Sequence, residues 1–169
     1  YAARPDQRAV SWGYEYDDRL GNTGSSATSK YDHMVFSDVT SDADIVDLAA
    51  GGAGGLFLLA DGTVLTWGGN ASGELGLNDD EILRLSLPVE LPRALFLSLW
   101  AEETVIAVQA DGTQRYAVTS EGRVYAWGNH FRGRLGLGAA GSGDVLRPTL
   151  ISSWRSILGD SPIVAVSGG

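Results

Sequence analysis

The side chains that could carry acid–base, nucleophilic or metal chemistry are few and scattered. The 169 residues include two histidines, His33 and His130, and no cysteine. Zinc sites need several His, Cys or carboxylate ligands at characteristic spacings, and neither histidine has such a partner nearby. The scattered serines and aspartates also define no Ser-His-Asp order. We therefore expect no catalytic residue, no metal site and no cofactor, and we predict that the chain is not an enzyme.

Acidic residues gather in short polar stretches, of which Asn78-Asp79-Asp80-Glu81 is the densest. Clustered carboxylates can bind Ca²⁺, but this run lacks the ligand spacing of a recognised calcium loop. A solvated acidic turn is the favoured interpretation. The whole chain has 21 acidic and 12 basic residues, a net charge of −9. This balance argues against a nucleic-acid partner, because binding a phosphate backbone needs Lys and Arg to displace counterions.

One motif recurs three times and organises the rest of the chain. It consists of Trp-Gly, six further residues, and Leu-Gly. Its copies are Trp12-Gly13 with Leu20-Gly21, Trp67-Gly68 with Leu75-Gly76, and Trp127-Gly128 with Leu135-Gly136, and Gly62 and Gly122 precede the second and third copies at equal distances. The three tryptophans are 55 and 60 residues apart. Repeats of about this length are typical of propellers and solenoids. Because identical register implies an identical environment, we interpret these positions as structural, against the alternative of a ligand-stacking set of tryptophans.

The runs between the motifs predict short antiparallel strands. The apolar run 56–60 and the run 63–67, rich in β-branched and aromatic residues, flank Asp61-Gly62, and the runs 115–119 and 123–127 flank Glu121-Gly122. An acid-Gly pair between two such runs predicts a β-hairpin, because glycine readily adopts positive φ. Further strands are predicted at 45–48, 105–108 and 163–166, and edge strands start at Pro88 and Pro148. About four strands per repeat is the content of one propeller blade.

The second repeat is longer than the first because of an insertion. The extra residues fall between Pro88 and Gly122, within the stretch 92–104. The segment from Ala94 to Glu103 is the best candidate for a helix in the chain, and we expect a single turn there. Trp100 lies outside the repeat register and is a candidate anchor for this insertion.

These repeats resemble those of the regulator of chromosome condensation (RCC1-type) family. The closest stretch is Val124-Tyr125-Ala126-Trp127-Gly128-Asn129 with Arg134-Leu135-Gly136-Leu137-Gly138. The family's Cys-Gly-Gly-x-His segment has lost its Cys and His here, at 50–54 and 110–114. The resemblance implies an all-β fold of β-propeller blades, usually seven to a ring. Three repeats, at about 1–56, 57–116 and 117–169, are too few to close such a ring. We therefore expect part of a longer propeller, with a half-propeller that pairs with another chain as the alternative.

The six-residue loops inside the motif change from repeat to repeat while their frame stays the same. The first and third loops contain aromatic and arginine side chains, which are typical anchors of protein interfaces. We predict as candidate partner-binding residues Tyr14, Tyr16, Arg19, His130, Phe131 and Arg132. The alternative is that they pack on the next blade.

The predicted function is a non-enzymatic protein-interaction scaffold, a subunit or regulatory module of a larger assembly. The alternative implied by the resemblance is a guanine-nucleotide exchange factor for a small GTPase. Chromatin association is disfavoured by the acidic charge, and a propeller that regulates an attached ligase or kinase domain is a further possibility. The expected partners are proteins, including the remaining propeller blades in the same or another chain. No apolar stretch is long enough to span a membrane. With no cysteine and no visible signal peptide, an intracellular location is favoured.

Overall fold

The computed structural model describes residues 2–3, 9–11, 18–20, 34–36, 44–96, 102–138, 143–152, 159 and 161–167. Several residues singled out from the sequence lie outside this part of the chain: Trp12, Gly13, Tyr14, Tyr16, Gly21, His33 and Trp100. Their predicted roles stay predictions. The second and third repeats are described almost throughout, so the fold and the candidate site rest on them.

Within the described residues, the chain forms three antiparallel sheets, each with its strands in sequential order. The first contains β1 (Ala2–Ala3), β2 (Ala9–Ser11) and β3 (Met34–Phe36). The second contains β4 (Ile45–Gly51), β5 (Gly54–Leu59), β6 (Val64–Gly69) and β7 (Arg84–Glu90). The third contains β8 (Val105–Asp111), β9 (Gln114–Thr119), β10 (Val124–Gly128) and β11 (Val145–Leu150). The all-β prediction is confirmed.

Both predicted hairpins form at the acid-Gly pairs. Gly62 joins β5 to β6 with a φ of +86°, and Gly122 joins β9 to β10 with a φ of +67°. The Asp61 carboxylate accepts a hydrogen bond of 2.9 Å from the backbone N–H of Thr63. The acid thus closes the turn, and the glycine supplies a left-handed conformation that other residues adopt only with strain.

The predicted edge strands form, and they are longer than the sequence indicated. Pro88 lies in β7 and Pro148 in β11, and each of these strands is the outermost of its sheet. The expected strands at 45–48 and 105–108 are β4 and β8. No strand is assigned to the described residues 163–166. In each four-stranded sheet the first strand comes from the end of one predicted repeat and the last two come from the next, while the predicted boundary falls within the second strand.

The core lies between the second and third sheets, which pack face to face. Strands β5, β6, β9 and β10 are buried along their whole length. One apolar cluster joins Leu56 and Leu58 of the second sheet to Ala117, Tyr125 and Trp127 of the third. Burial of this apolar surface is the main favourable contribution to the packing of one sheet on the next.

In the part of the insertion that the structure describes, residues 92–96 and 102–104, a 3-10 turn spans Arg93–Leu95. It overlaps the predicted stretch from Ala94 to Glu103 only at the start of that stretch, and residues 97–101 lie outside the described residues. Phe96 follows this turn and is buried between the two sheets. Its ring lies edge-on to Tyr125 and Trp127, with centroid separations of 5.2 and 6.2 Å. Edge-on contacts are a favoured arrangement of aromatic rings. The insertion therefore adds an aromatic side chain to the seam between the sheets.

A buried ion pair fixes the chain just before β8 to the β9–β10 hairpin. Glu103 is 2% exposed, and its Oε1 accepts hydrogen bonds from Arg123 Nε at 2.9 Å and from the Thr119 hydroxyl. A second contact joins Arg123 Nη2 to Glu103 Oε2. Desolvation offsets much of the attraction in such pairs, so the arrangement specifies geometry more than it adds net stability.

Candidate functional site

The motif tryptophans attach each sheet to the loop of the preceding repeat. Trp67 and Trp127 are buried, and the indole Nε1 of each donates a 3.0 Å hydrogen bond to a backbone carbonyl. The acceptors are Arg19 and Glu74, which occupy the same position in the first and second motif loops. The same contact at two successive seams supports a structural role for these tryptophans.

The Leu-Gly step of the motif completes the same seam. Leu75 and Leu135 are fully buried beneath their loops. Gly76 has a φ of +73°, and a Cβ at this position would lie 2.7 Å from the Trp127 indole nitrogen. Only glycine leaves room for the indole of the next sheet and also adopts this backbone conformation without strain.

The motif loop of the second repeat uses its polar side chains internally. Asn70 is 6% exposed, and its amide donates to the carbonyls of Asp79 and Ile82 and accepts from the N–H of Leu75. Glu74 accepts a hydrogen bond from the N–H of Ser72. The Asp79 carboxylate accepts hydrogen bonds from the backbone N–H groups of Glu81 and Ile82. This loop therefore offers few polar groups to a partner.

His130 stands where the second repeat has Asn70, and its environment differs from our expectation. We predicted it as a partner-binding residue, but its side chain is only 1% exposed. Its backbone carbonyl accepts a hydrogen bond from Gly133 N–H, which closes a tight turn over the residue. Within the described part of the chain, neither ring nitrogen has a hydrogen-bond partner. His130 therefore does not present its side chain to a partner in this conformation.

Phe131 and Arg132 are exposed, and they form the most conspicuous surface feature of the third motif loop. Phe131 is 50% exposed. The guanidinium carbons of Arg132 and Arg134 lie 5.1 and 6.0 Å from the centroid of its ring. A guanidinium group over an aromatic face gains a cation–π attraction, which holds the three side chains together on the surface. Sequence reasoning missed Arg134, although it lies in the same loop as Phe131.

The backbone of this loop has an unusual conformation. Arg132 has a φ of +58°, in the left-handed region, and Gly133 follows with a φ of +76°. A left-handed conformation at a residue with a Cβ costs about 1–2 kcal/mol. Strain of this kind persists where the surrounding structure holds it, and it occurs preferentially at ligand-binding sites. We call Phe131, Arg132 and Arg134 the cationic loop.

The first motif loop is described only at residues 18–20. Arg19 is half-buried, and its carbonyl is the acceptor for Trp67. Next to it, Asp18 forms a 3.1 Å ion pair with Arg84 at the start of β7. The backbone of Arg19 thus contributes to the seam, while the predicted interface role of its side chain stays a prediction.

Tyr116 is hydrogen-bonded to the backbone of the cationic loop. Its hydroxyl donates a 2.9 Å hydrogen bond to the carbonyl of Arg134. Burial raises the pKa of Tyr116 above its usual value near 10, and the nearby charge of Asp111 raises it further. The phenol is therefore held in its neutral, hydrogen-bond-donating form.

Replacing Tyr116 by phenylalanine is expected to lower the free energy of unfolding by about 1 kcal/mol at pH 7, because the Arg134 carbonyl loses its donor. Because the pKa of Tyr116 is raised in the folded state, the unfolded chain releases this proton at a lower pH than the folded chain does. The contribution of the protonated phenol to stability is therefore retained below pH 10 and lost as pH rises through the folded-state pKa. The variant should lose less stability than the wild type above pH 10. Urea unfolding at pH 7, 9 and 10.5 measures both effects.

Tyr125→Phe is the control for the Tyr116 variant. Burial also raises the pKa of Tyr125, but its hydroxyl has no hydrogen-bond partner in the described part of the chain. We expect Tyr125→Phe to change the free energy of unfolding little at pH 7. Above pH 10 this variant, like Tyr116→Phe, should lose less stability than the wild type. A Tyr116→Phe protein that matches the wild type at every pH would contradict this account.

Two observations concern chemistry that the described residues do not offer. In the described part of the chain, no group of three or more His, Cys, Asp or Glu side chains is arranged to hold a metal ion. Among the same residues, no helix is long and apolar enough to cross a membrane.

Four-stranded antiparallel sheets that stack face to face, each attached to the preceding loop by a buried tryptophan, are the blades of a β-propeller. Residues 121–169 and 45–74 each match the family described as the regulator of chromosome condensation (RCC1) repeat. These two stretches are therefore RCC1 repeats, as the sequence predicted.

Similar proteins cover most of this chain. The human E3 ubiquitin-protein ligase HERC2 is 30% identical over 140 residues, which cover 82% of this chain and 3% of that protein. A mouse RCC1-like G exchanging factor-like protein is 29% identical over 140 residues, or 81% of this chain and 29% of that one. The crystal structure of yeast RCC1 (Prp20) bound to Kap60 aligns with a TM-score of 0.80 at 23% identity, over 98% of this chain and 37% of that one. The chain thus spans well under half the length of each.

Proposed function

We propose that this chain is a non-enzymatic propeller segment that binds a protein partner through the cationic loop. The observation that carries the proposal is the exposed ring of Phe131 with two arginine guanidinium groups beside it. Aromatic and arginine side chains contribute disproportionately to the energy of protein interfaces. The neighbouring motif loop has the same frame but turns its polar groups inward. Of the two motif loops that the structure describes in full, the third is the one that exposes an aromatic ring and arginine side chains.

A second candidate function is nucleotide exchange on a small GTPase. It is favoured by the name of the mouse relative, an RCC1-like G exchanging factor-like protein. In this reading the propeller inserts into the GTPase and lowers its affinity for nucleotide, and the propeller itself makes or breaks no bond. The cationic loop supplies contacts to the partner in either reading, so a binding experiment must be combined with a measurement of nucleotide release.

The Phe131→Ser/Arg132→Ser variant of the intact protein is expected to lose at least about tenfold in recovery of its main partner, because two interface anchors are removed. Both side chains are exposed, so folding should be unaffected. The measurement is affinity purification of the wild type and the variant from source cells, with quantitative mass spectrometry. Nucleotide release from every small GTPase that is recovered should then be timed with and without the propeller.

Leu83→Ser/Arg84→Ser is a matched control, since it makes the same type of change at two exposed positions of the preceding blade. It should leave recovery unchanged. A near-stoichiometric partner that depends on Phe131 and Arg132 alone, with no effect on nucleotide release, supports the scaffold function. A GTPase that is recovered chiefly without nucleotide, and whose release is accelerated, would establish exchange instead. Equal recovery with both variants would contradict a role for the cationic loop.

A further inference from the structure

The third repeat reverses the charge of the second at equivalent positions. Residues 61–92 contain six acidic residues and one arginine, whereas residues 121–152 contain two acidic residues and four arginines. The chain as a whole is strongly acidic. Clusters of one sign on a surface of the other sign steer the approach of oppositely charged partners. The positive charge is thus concentrated on the blade that carries the cationic loop.

The arginines of the cationic loop are available to a partner. Both Arg132 and Arg134 are exposed, and neither forms an ion pair within the described residues, where Arg84 and Arg123 do. The carboxylate of Asp144, just before β11, accepts a hydrogen bond of 3.1 Å from Asn129. Contact with the Phe131 ring restricts both guanidinium groups while leaving N–H donors for an acceptor.

We infer that the cationic loop binds an extended acidic peptide segment of a protein partner, with one carboxylate on each arginine and an apolar side chain against Phe131. This inference rests on the proposed function and names the chemistry of its partner. Guanidinium groups bind carboxylates through paired, charge-assisted hydrogen bonds. An exposed aromatic ring between the two sites provides the apolar contact that distinguishes a peptide from a free anion.

Both arginines lie near one aromatic ring, so a short peptide segment can contact both. Their guanidinium carbons are each within 6.0 Å of the Phe131 ring centroid. In an extended peptide, residues two apart project from the same side and are separated by roughly 7 Å. Two acidic residues with one residue between them can therefore reach both arginines. Adjacent acidic residues point to opposite sides and reach only one.

The test is fluorescence anisotropy of the intact protein with labelled peptides at low salt. The main probe is a heptapeptide with two glutamates separated by one glycine and flanked by leucines. Three probes serve for comparison. They are the same peptide with glutamines in place of the glutamates, the same peptide with the two glutamates adjacent, and a single-stranded oligonucleotide of equal charge. We expect the first peptide to bind most tightly, and raising the salt to 0.3 M should weaken binding because the ion pairs are exposed.

Single Arg132→Gln and Arg134→Gln substitutions should each weaken binding of this peptide by roughly tenfold. Phe131→Ala should also weaken binding of this peptide, because the flanking leucines lose their apolar contact. Arg84→Gln, which makes the same change of charge on the preceding blade, should have little effect. Unfolding curves confirm that each variant is folded.

Three outcomes would overturn the inference. These are binding of no acidic peptide at millimolar concentration, equal binding of the glutamate and glutamine peptides, and tighter binding of the oligonucleotide. If partner recovery still depends on Phe131 and Arg132 while acidic peptides fail, the interaction function stands and only the acidic chemistry is wrong.

Discussion

Replacing Gly68 by alanine is expected to lower the free energy of unfolding by about 4 kcal/mol or more, a loss that few single substitutions reach. A Cβ at this position would lie 2.1 Å from the carbonyl oxygen of Ala53 and 2.6 Å from the Cα of Gly54. Both are backbone atoms, so no side-chain rotation relieves the clash. Gly68 also has a φ of +101°, which adds conformational strain at a residue with a Cβ. Urea unfolding followed by circular dichroism measures the loss.

Gly133→Ala is the matched control for Gly68→Ala. Gly133 also has a left-handed φ, of +76°, but a Cβ there would meet no atom within 4 Å. Its substitution should therefore show only the conformational strain, about 1–2 kcal/mol. The difference between the two variants isolates the close approach of the β5 and β6 backbones. Equal losses would show that this approach is not what requires glycine in the Trp-Gly step.

Replacing Trp127 by alanine is expected to cost about 3–5 kcal/mol, the range for removing a buried aromatic side chain. The side chain is fully buried, contacts Phe96 of the insertion and donates to the Glu74 carbonyl. Trp127→Phe retains much of the packing and removes the hydrogen bond, so its cost should be smaller, about 1–3 kcal/mol. Chemical unfolding monitored by far-ultraviolet circular dichroism separates the two contributions.

Phe131→Ala is the control for the loss of an aromatic ring. Phe131 is half-exposed on a loop, so its removal should change stability by about 0.5 kcal/mol or less. A loss for Trp127→Ala as small as that for Phe131→Ala would contradict the structural role of the motif tryptophans. It would return them to the alternative of a ligand-stacking set.

The features that sequence reasoning predicted correctly are those with local causes. The hairpins at Gly62 and Gly122 depend on one turn and the two runs beside it, and both formed as expected. For the motif tryptophans, register predicts a structural role. It did not predict their hydrogen-bond partners, because the Trp127 acceptor Glu74 is 53 residues away and is brought close only by the packing of one blade on another.

Two features of the candidate site depended on packing that the sequence did not reveal. His130 was expected at the surface because it lies in a loop, yet it is buried like Asn70 of the preceding repeat. Alignment with Asn70 was the available signal, but an asparagine in a loop gave no sign of burial. The contribution of Arg134 depends on a turn with left-handed residues that places its side chain near Phe131. Side-chain spacing along the chain does not show such a turn.

The hydrogen bonds of the motif tryptophans give the stack of blades a direction. Trp67 and Trp127 each reach back to the loop of the earlier repeat. Opening the second motif loop would therefore release the tryptophan of the blade that follows, while Trp67 keeps its contact with Arg19. Local unfolding caused by a substitution in one motif loop should therefore spread towards the carboxyl terminus. It should be detected first as faster hydrogen exchange in the next blade along the chain.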